Sequence, residues 1–410
     1  MRQKYVGFLL AILLVATSAK AQVVTGLDNL ASQHFAALKG KHIGLISNQT
    51  GRTASGELGA DLLANEHSLK LVALFAPEHG LMGTRKAGVP SDSAEWYHGV
   101  RVYSLYGSTR KPTKKMLRGI NALVFDLQDI GVRPYTYLST MVLAMEAAAE
   151  QGIPFYVLDR PNPLSGERIE GNTLDPTLKS FVGALPIPYL HGLTLGELAR
   201  MAKAKAWFNK AQKLKLTVIP MRGWKRSMYW NETGLPWTAP SPNIPHFENA
   251  VGAAMLGATG ELGVLSIGIG TDAPFLRMGS TLLGTSEILR IADSIYHGTA
   301  SINAEDFVGQ NAGQTKSYHG VRISVSSLHA IPSLYPLQYQ LLEAMLHDTA
   351  FRKSFDALPF SVDAMFDKVT GMRGLRDILI RCADLARVFA NWQRDCDAFR
   401  RDRMPYLLYH

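Results

Sequence analysis

Four short runs in the first 160 residues are apolar almost without interruption: HIGLIS (His42–Ser47), KLVALFA (Lys70–Ala76), ALVFDL (residues 122–127) and PFYVLD (residues 154–159). Runs of this length, rich in β-branched and aromatic residues, read as strands. The weak alternation of apolar and polar positions places them in a sheet covered on both faces. Helix-like stretches lie between them, at residues 56–64 and at the Ala-, Met- and Leu-rich segment Thr136–Gln151, which Gly152 stops. Strand and helix in alternation predict an α/β domain built on a parallel sheet.

The pattern continues with a helix over residues 194–206, where Thr194 followed by Glu197 matches a capping box, and with a further strand in KLTVIP. The segment GLPWTAPSPNIPH, residues 234–246, carries Pro236, Pro240, Pro242 and Pro245 and continues neither a helix nor a central strand. The domain boundary is placed there. Beyond it the pattern predicts a helix around residues 250–256, strands near 264–269 and 321–325, and a largely helical end over 374–404, which together make a smaller α+β domain. The organisation is therefore a signal peptide at 1–21, a catalytic domain at 22–247 and an auxiliary domain at 248–410.

The signal peptide rests on Arg2 and Lys4 ahead of an apolar run and on Ala-Lys-Ala ending at Ala21. The run is shorter than the ~20 residues that span a bilayer, so no stable membrane anchor is expected after cleavage, and the location is periplasmic or secreted. Cleavage removes Arg2, Lys4 and Lys20 and lowers the formal net charge from +9 by three, to +6. A surplus of that size, with no basic run, argues against nucleic acid as a partner. An exported chain can oxidise Cys382 and Cys396. On one straight helix they would stand about 21 Å apart, so a disulfide needs a turn between them, and two buried free thiols are the alternative.

In an open parallel sheet the ligand crevice lies at the carboxyl ends of the strands. There the four runs deliver Asn48; Glu78 and His79; Asp126, Asp129, Arg133, Tyr135 and Tyr137; and Asp159, Arg160 and Asn162. Each has a structural reading as well. Asp126 sits inside an apolar run and needs a partner if buried, which Arg133 or Arg160 can supply, and Asp159 with Arg160 can form a brace. Together the set suits a polar, anionic small ligand. Paired carboxylates suggest glycoside cleavage, with Glu78, Asp126 and Asp129 as catalytic candidates; Glu78, His79, Asp126 and Asp129 as ligands of a hard metal ion are the rival. A P-loop, a dinucleotide fingerprint and a Gly-x-Ser-x-Gly elbow are all missing from the sequence.

The stretches APEHGLMG, VYSLYG, VFDLQDIGVRPYTY, VLDRPNP, HGLTLGELA and TGLPWTAPSPNIP occur in that order. In them the chain resembles the NamZ-type exo-β-N-acetylmuramidases over about residues 41–245, and in outline to the C-terminus. The resemblance implies a Rossmann-like N-terminal domain, a smaller C-terminal domain and an active-site cleft between them. It also implies release of a terminal, non-reducing N-acetylmuramic acid from peptidoglycan fragments, with no redox cofactor or required metal. On this chain the glutamate of the PEHG motif is Glu78, the principal catalytic carboxylate, and the aspartates of DLQD are Asp126 and Asp129. Arg133 or Arg160 is assigned to the lactyl carboxylate, since a guanidinium clamps a carboxylate with two hydrogen bonds. One stretch departs from the family pattern Ser-Glu-Gly-Arg-Gly-Thr. This chain reads SIGIGT at residues 266–271, with Ile267 and Ile269 at the charged positions and Glu261 and Asp272 flanking. The departure implies an altered substrate preference or a muropeptide-binding protein with a degenerate site.

Overall fold

The computed structural model describes residues 22–410 except 87, 90–94, 299, 312–313, 326 and 382–383. The expected signal peptide and Cys382 lie outside the described residues. Cys396 is buried, and its thiol donates to the Gly171 carbonyl at 3.2 Å.

The N-terminal half is a seven-stranded sheet of β1 (His42–Ser47), β2 (Lys70–Ala76), β3 (Glu95–Tyr97), β4 (Val100–Ser104), β5 (Ala122–Asp126), β6 (Phe155–Leu158) and β7 (Leu216–Ile219). The spatial order is β3-β4-β2-β1-β5-β6-β7. Every neighbouring pair is parallel except β3 with β4. The strands predicted from continuous apolar runs all form, and β1, β2 and β5 are buried nearly throughout. Strand β4, VRVYS, escaped the pattern because it lies near the sheet edge with only Val102 buried, so its sequence carries no long apolar run.

Helices α1 (Gly26–Ser32), α2 (Gly59–Asn65), α3 (Thr136–Gln151), α4 (Leu195–Ala204) and α5 (Phe247–Leu256) follow. Helix α3 has the predicted bounds, ended by Gly152 at φ 68°, a left-handed cap that costs glycine little. At α4 the capping box is present: the Thr194 side chain accepts from the Glu197 amide, and the Glu197 carboxylate accepts from the Thr194 amide.

The C-terminal half holds an antiparallel sheet in which β11 (Gln314–Ser324) pairs with β8 (Arg277–Ser280), β9 (Ser301–Ala304) and β10 (Phe307–Asn311). Around it lie α6 (Thr285–Tyr296), α7 (Leu337–Met345), α8 (Thr349–Asp356), α9 (Phe360–Thr370), α10 (Leu375–Ile380) and α11 (Leu385–Asp402). The strand expected over residues 264–269 does not form; that stretch makes one bridge, Ser266 to Gly279. Gly268 and Gly270 take φ 76° and 80°, which breaks an extended run and turns it into a loop.

One apolar core crosses both halves. Ile130, Val132, Tyr189 and Leu190 pack with residues of α5, α6, α7 and α11, and the Tyr189 and Tyr335 rings stack at 4.0 Å. Arg133, fully buried, crosses the same boundary: it donates to the carbonyls of Asn172 and Ile187 at 2.9 and 2.8 Å and to those of Val369 and Thr370 at 3.2 and 2.7 Å. The last two belong to the final turn of α9, where carbonyls have no helical partner and a cation is favoured.

Candidate active site

The sheet reverses its winding between β1 and β5, and a cavity of about 430 Å³ lies beyond the carboxyl ends of its strands. The loop after β2 contributes Glu78 and His79, and the loop after β5 contributes Ile130, Val132, Pro134, Tyr135 and Thr136. The Pro-rich segment adds Ser241, Asn243 and Ile244. The C-terminal half closes the opposite wall with Gly260, Glu261, Leu265, Ser266, Ile267, Ile269, Phe275 and Val369. The cavity thus lies between the two halves, as the resemblance implied.

Glu78 is mostly buried; its Oε1 accepts from the Gly88 amide at 3.0 Å and its Oε2 from the Thr136 hydroxyl at 2.7 Å. Thr136 opens α3, so the catalytic candidate is fixed to the N-terminus of a long helix, the end that favours a negative charge. His79 beside it holds φ 72°, and its Nδ1 lies 2.8 Å from the Arg85 carbonyl. A non-glycine residue in the left-handed region is strained. Here the turn swings Glu78 into the cavity immediately after the strand ends.

Of the residues nominated from sequence, Glu78, His79 and Tyr135 line the cavity; the rest are not part of its lining. Arg160 forks onto Asp126, with Nε to Oδ1 at 2.6 Å and Nη2 to Oδ2 at 3.0 Å, both residues buried. Asp159 accepts from the Thr194 hydroxyl, the Gly196 amide and the Tyr409 hydroxyl, at 2.7, 2.8 and 2.6 Å, and so ties α4 and the chain's end to the sheet. Asn162 closes its own turn through the Leu164 amide and donates to the Leu193 carbonyl. Its Oδ1 would lie 2.4 Å from a Cβ at position 131, which explains Gly131 at φ 85°. Asn48 accepts from Thr50 and donates to the Tyr137 hydroxyl at 2.6 Å, and Tyr137 in turn donates to the Pro240 carbonyl. Arg133, one of the two arginines assigned from sequence to the lactyl carboxylate, is spent on the four carbonyls already described, and Arg160, the other, is spent on Asp126.

Asp129 is buried between these groups. Its Oδ2 accepts from the Gly131 amide at 3.0 Å, and its Oδ1 has no partner among the described residues. Burial pushes its carboxyl up to about 7. The four proposed metal ligands do not converge: among the described residues no three His, Cys, Asp or Glu side chains form a group able to hold a metal ion.

The polar residues that sequence reasoning passed over are Thr136, Ser241 and Asn243, the last two inside the Pro-rich stretch that reads as a boundary and as a family motif but gives no candidate site residue. Glu261 reads from sequence only as a charge that, with Asp272, flanks SIGIGT and could partly compensate for the positions held by Ile267 and Ile269. It stands at the cavity wall in a short turn after α5. Although its side chain meets solvent, the surrounding walls remove enough water to raise its carboxyl above the ordinary value. Asp272 points away and pairs with Arg277.

Models of the N-terminal and C-terminal parts of the exo-β-N-acetylmuramidase NamZ match residues 43–248 and 252–409. The peptidoglycan β-N-acetylmuramidase NamZ of Bacillus subtilis (strain 168) is 37% identical over 412 residues, 96% of this chain and 93% of that protein. A crystal structure of a DUF1343 family protein from Bacteroides fragilis superposes with a TM-score of 0.87 at 37% identity, covering 95% of this chain and 99% of the other. A second DUF1343 family protein of that organism gives 0.75 at 30% identity with the same coverage.

Proposed function

The chain belongs to the NamZ exo-β-N-acetylmuramidase family, and from that premise we propose that it is a glycoside hydrolase releasing terminal, non-reducing β-N-acetylmuramic acid from peptidoglycan fragments. The observation that carries the reading is the placing of Glu78 and Glu261 in one cavity with unlike surroundings. Two carboxylates set apart by environment are the equipment of glycosidic cleavage. Glu78, with both oxygens accepting hydrogen bonds, takes up a proton or faces positive charge at the sugar. Glu261, raised by desolvation, delivers the proton to the leaving oxygen. The balance is that of hydrolysis: the bond from the anomeric carbon to the leaving oxygen breaks, water supplies the new oxygen at that carbon, and its proton replaces the one given to the leaving group. Tyr135 offers a ring against the sugar, and Asn243 and Ser241 offer polar groups along the same wall. Export, with residues 1–21 removed, fits a substrate from the cell wall.

Ile267 and Ile269 favour a second reading, since they turn part of the wall apolar: a muropeptide-binding protein with little turnover. Both readings are tested with a chromogenic β-N-acetylmuramic acid glycoside. Residues 22–410 should hydrolyse it, Glu78→Gln should lose roughly 10²–10⁴-fold in kcat, and a chelator should have no effect. Binding of the sugar without turnover by the unaltered protein makes it a binding protein instead.

A further inference from the structure

The described residues that line the cavity include two carboxylates, Glu78 and Glu261, and neither lysine nor arginine. Muramic acid carries a lactyl carboxylate, and such an anion meets like charge inside unless a cation stands at the edge. Arg133 and Arg160 are buried and committed to backbone carbonyls and to Asp126.

Arg110 stands differently. It follows β4, is exposed, and has its guanidinium carbon 4.4 Å from the Phe181 ring centroid and 5.8 Å from that of Tyr106. Those rings are 5.9 Å apart, and neither is itself part of the cavity lining. Phe181 immediately precedes Val182 of the lining. Tyr106 lies beside Glu78: burial first, and then the Glu78 charge, hold its phenol above the ordinary value. Glu78 and Arg110 thus flank the same tyrosine. Among the described residues Arg110 makes no ion pair, so its N–H edges are free while two aromatic faces hold the guanidinium plane. A stacked guanidinium keeps its fork available for a carboxylate and loses little freedom when one arrives.

We propose that Arg110 is the anion-binding residue of this site and takes the lactyl carboxylate of the terminal sugar, a role that rests on the muramidase reading above. It fixes the substrate from the 3-substituent while Glu78 and Glu261 face the glycosidic bond. It is a specificity residue, and its loss weakens binding of the charged sugar without touching the reacting atoms.

The test pairs two chromogenic β-glycosides, N-acetylmuramic acid with a free lactyl carboxylate and its lactyl carboxamide, against the unaltered protein, Arg110→Gln and Arg110→Lys. Arg110→Gln should lower kcat/KM on the carboxylate about 10- to 100-fold, the weight of a charge-assisted double hydrogen bond, chiefly through KM. On the carboxamide it should change less than about twofold, and Arg110→Lys should recover part of the loss. Equal losses on both substrates would mean that Arg110 only braces the rings, and would overturn the proposal. If the unaltered protein cleaves neither glycoside, the hydrolase reading fails and calorimetric binding of free N-acetylmuramic acid decides this one. Binding at least about tenfold weaker in Arg110→Gln upholds it, and equal or absent binding in both proteins overturns it.

Discussion

Replacing Arg133 by Met tests whether this residue holds the two halves together or meets the substrate. The structure puts its guanidinium on four carbonyls, two of them in the last turn of α9, and α9 contributes Val369 to the cavity wall. Met fills much of the volume but donates nothing. At the low end of the cost of a bare buried acceptor, about 1 kcal/mol each, the four carbonyls lose about 4 kcal/mol. Some of that is returned because a charged group no longer has to be held out of water. A net loss of about 3 kcal/mol lowers the melting temperature by about 6 °C, at about 2 °C per kcal/mol for a domain of this size. Differential scanning calorimetry of the unaltered protein, Arg133→Met and Arg133→Lys measures it. Lys keeps the charge, but one ammonium has three donors for four acceptors, so its melting point should fall between the other two. Activity on the chromogenic muramic glycoside should drop only a few-fold in Arg133→Met at temperatures where it is folded. A melting point within about 1 °C of the unaltered protein, with kcat/KM down a hundredfold or more, would refute the reasoning and put Arg133 on the substrate.

Asp126→Asn leaves the Arg160 charge buried without its carboxylate and should cost about 3–5 kcal/mol, read as a clear fall in melting temperature. Asp129 gives a pH signature. Because its folded-state value is raised to about 7, its contribution is complete below about pH 4 and is lost as the pH rises through 7. The unaltered protein should therefore melt at progressively lower temperature between pH 5 and 8 relative to Asp129→Asn, whose side chain carries no charge to bury; parallel curves would count against the burial argument. Thr136→Val removes the 2.7 Å hydrogen bond to Glu78 and should reduce kcat about tenfold, the value of one charge-assisted hydrogen bond, while the melting point moves less than about 2 °C.

How far the molecule could be read from its sequence depended on what each element is packed against. Strands β1, β2 and β5 are covered on both faces, so their sequences are apolar throughout and name themselves; β4, near the edge, is half exposed and does not. The same dependence governs the site. Polar residues gather at the carboxyl ends of the strands for two reasons, to meet a ligand and to satisfy one another where loops converge, and spacing does not separate the two. Glu78 and His79 face the cavity because a strained turn throws them outward. Asp126, Asp159, Arg160 and Asn162 face the neighbouring loops, in contacts such as Arg160 on Asp126 and Asn162 against Gly131 that join segments more than 30 residues apart. A strand-end rule finds the neighbourhood, and only the fold shows which way each side chain turns. The opposite wall was hidden for another reason. Ile267 and Ile269 read as strand residues because they alternate with small ones, whereas left-handed glycines between and after them make a loop that sets both side chains against the ligand space. The familiar N-terminal motifs therefore account mainly for how the crevice is braced. On the proposed reading, selection among sugars falls to residues outside those motifs, Ile267, Ile269 and Arg110, and substitutions there should change which substrate is accepted before they change whether the protein folds.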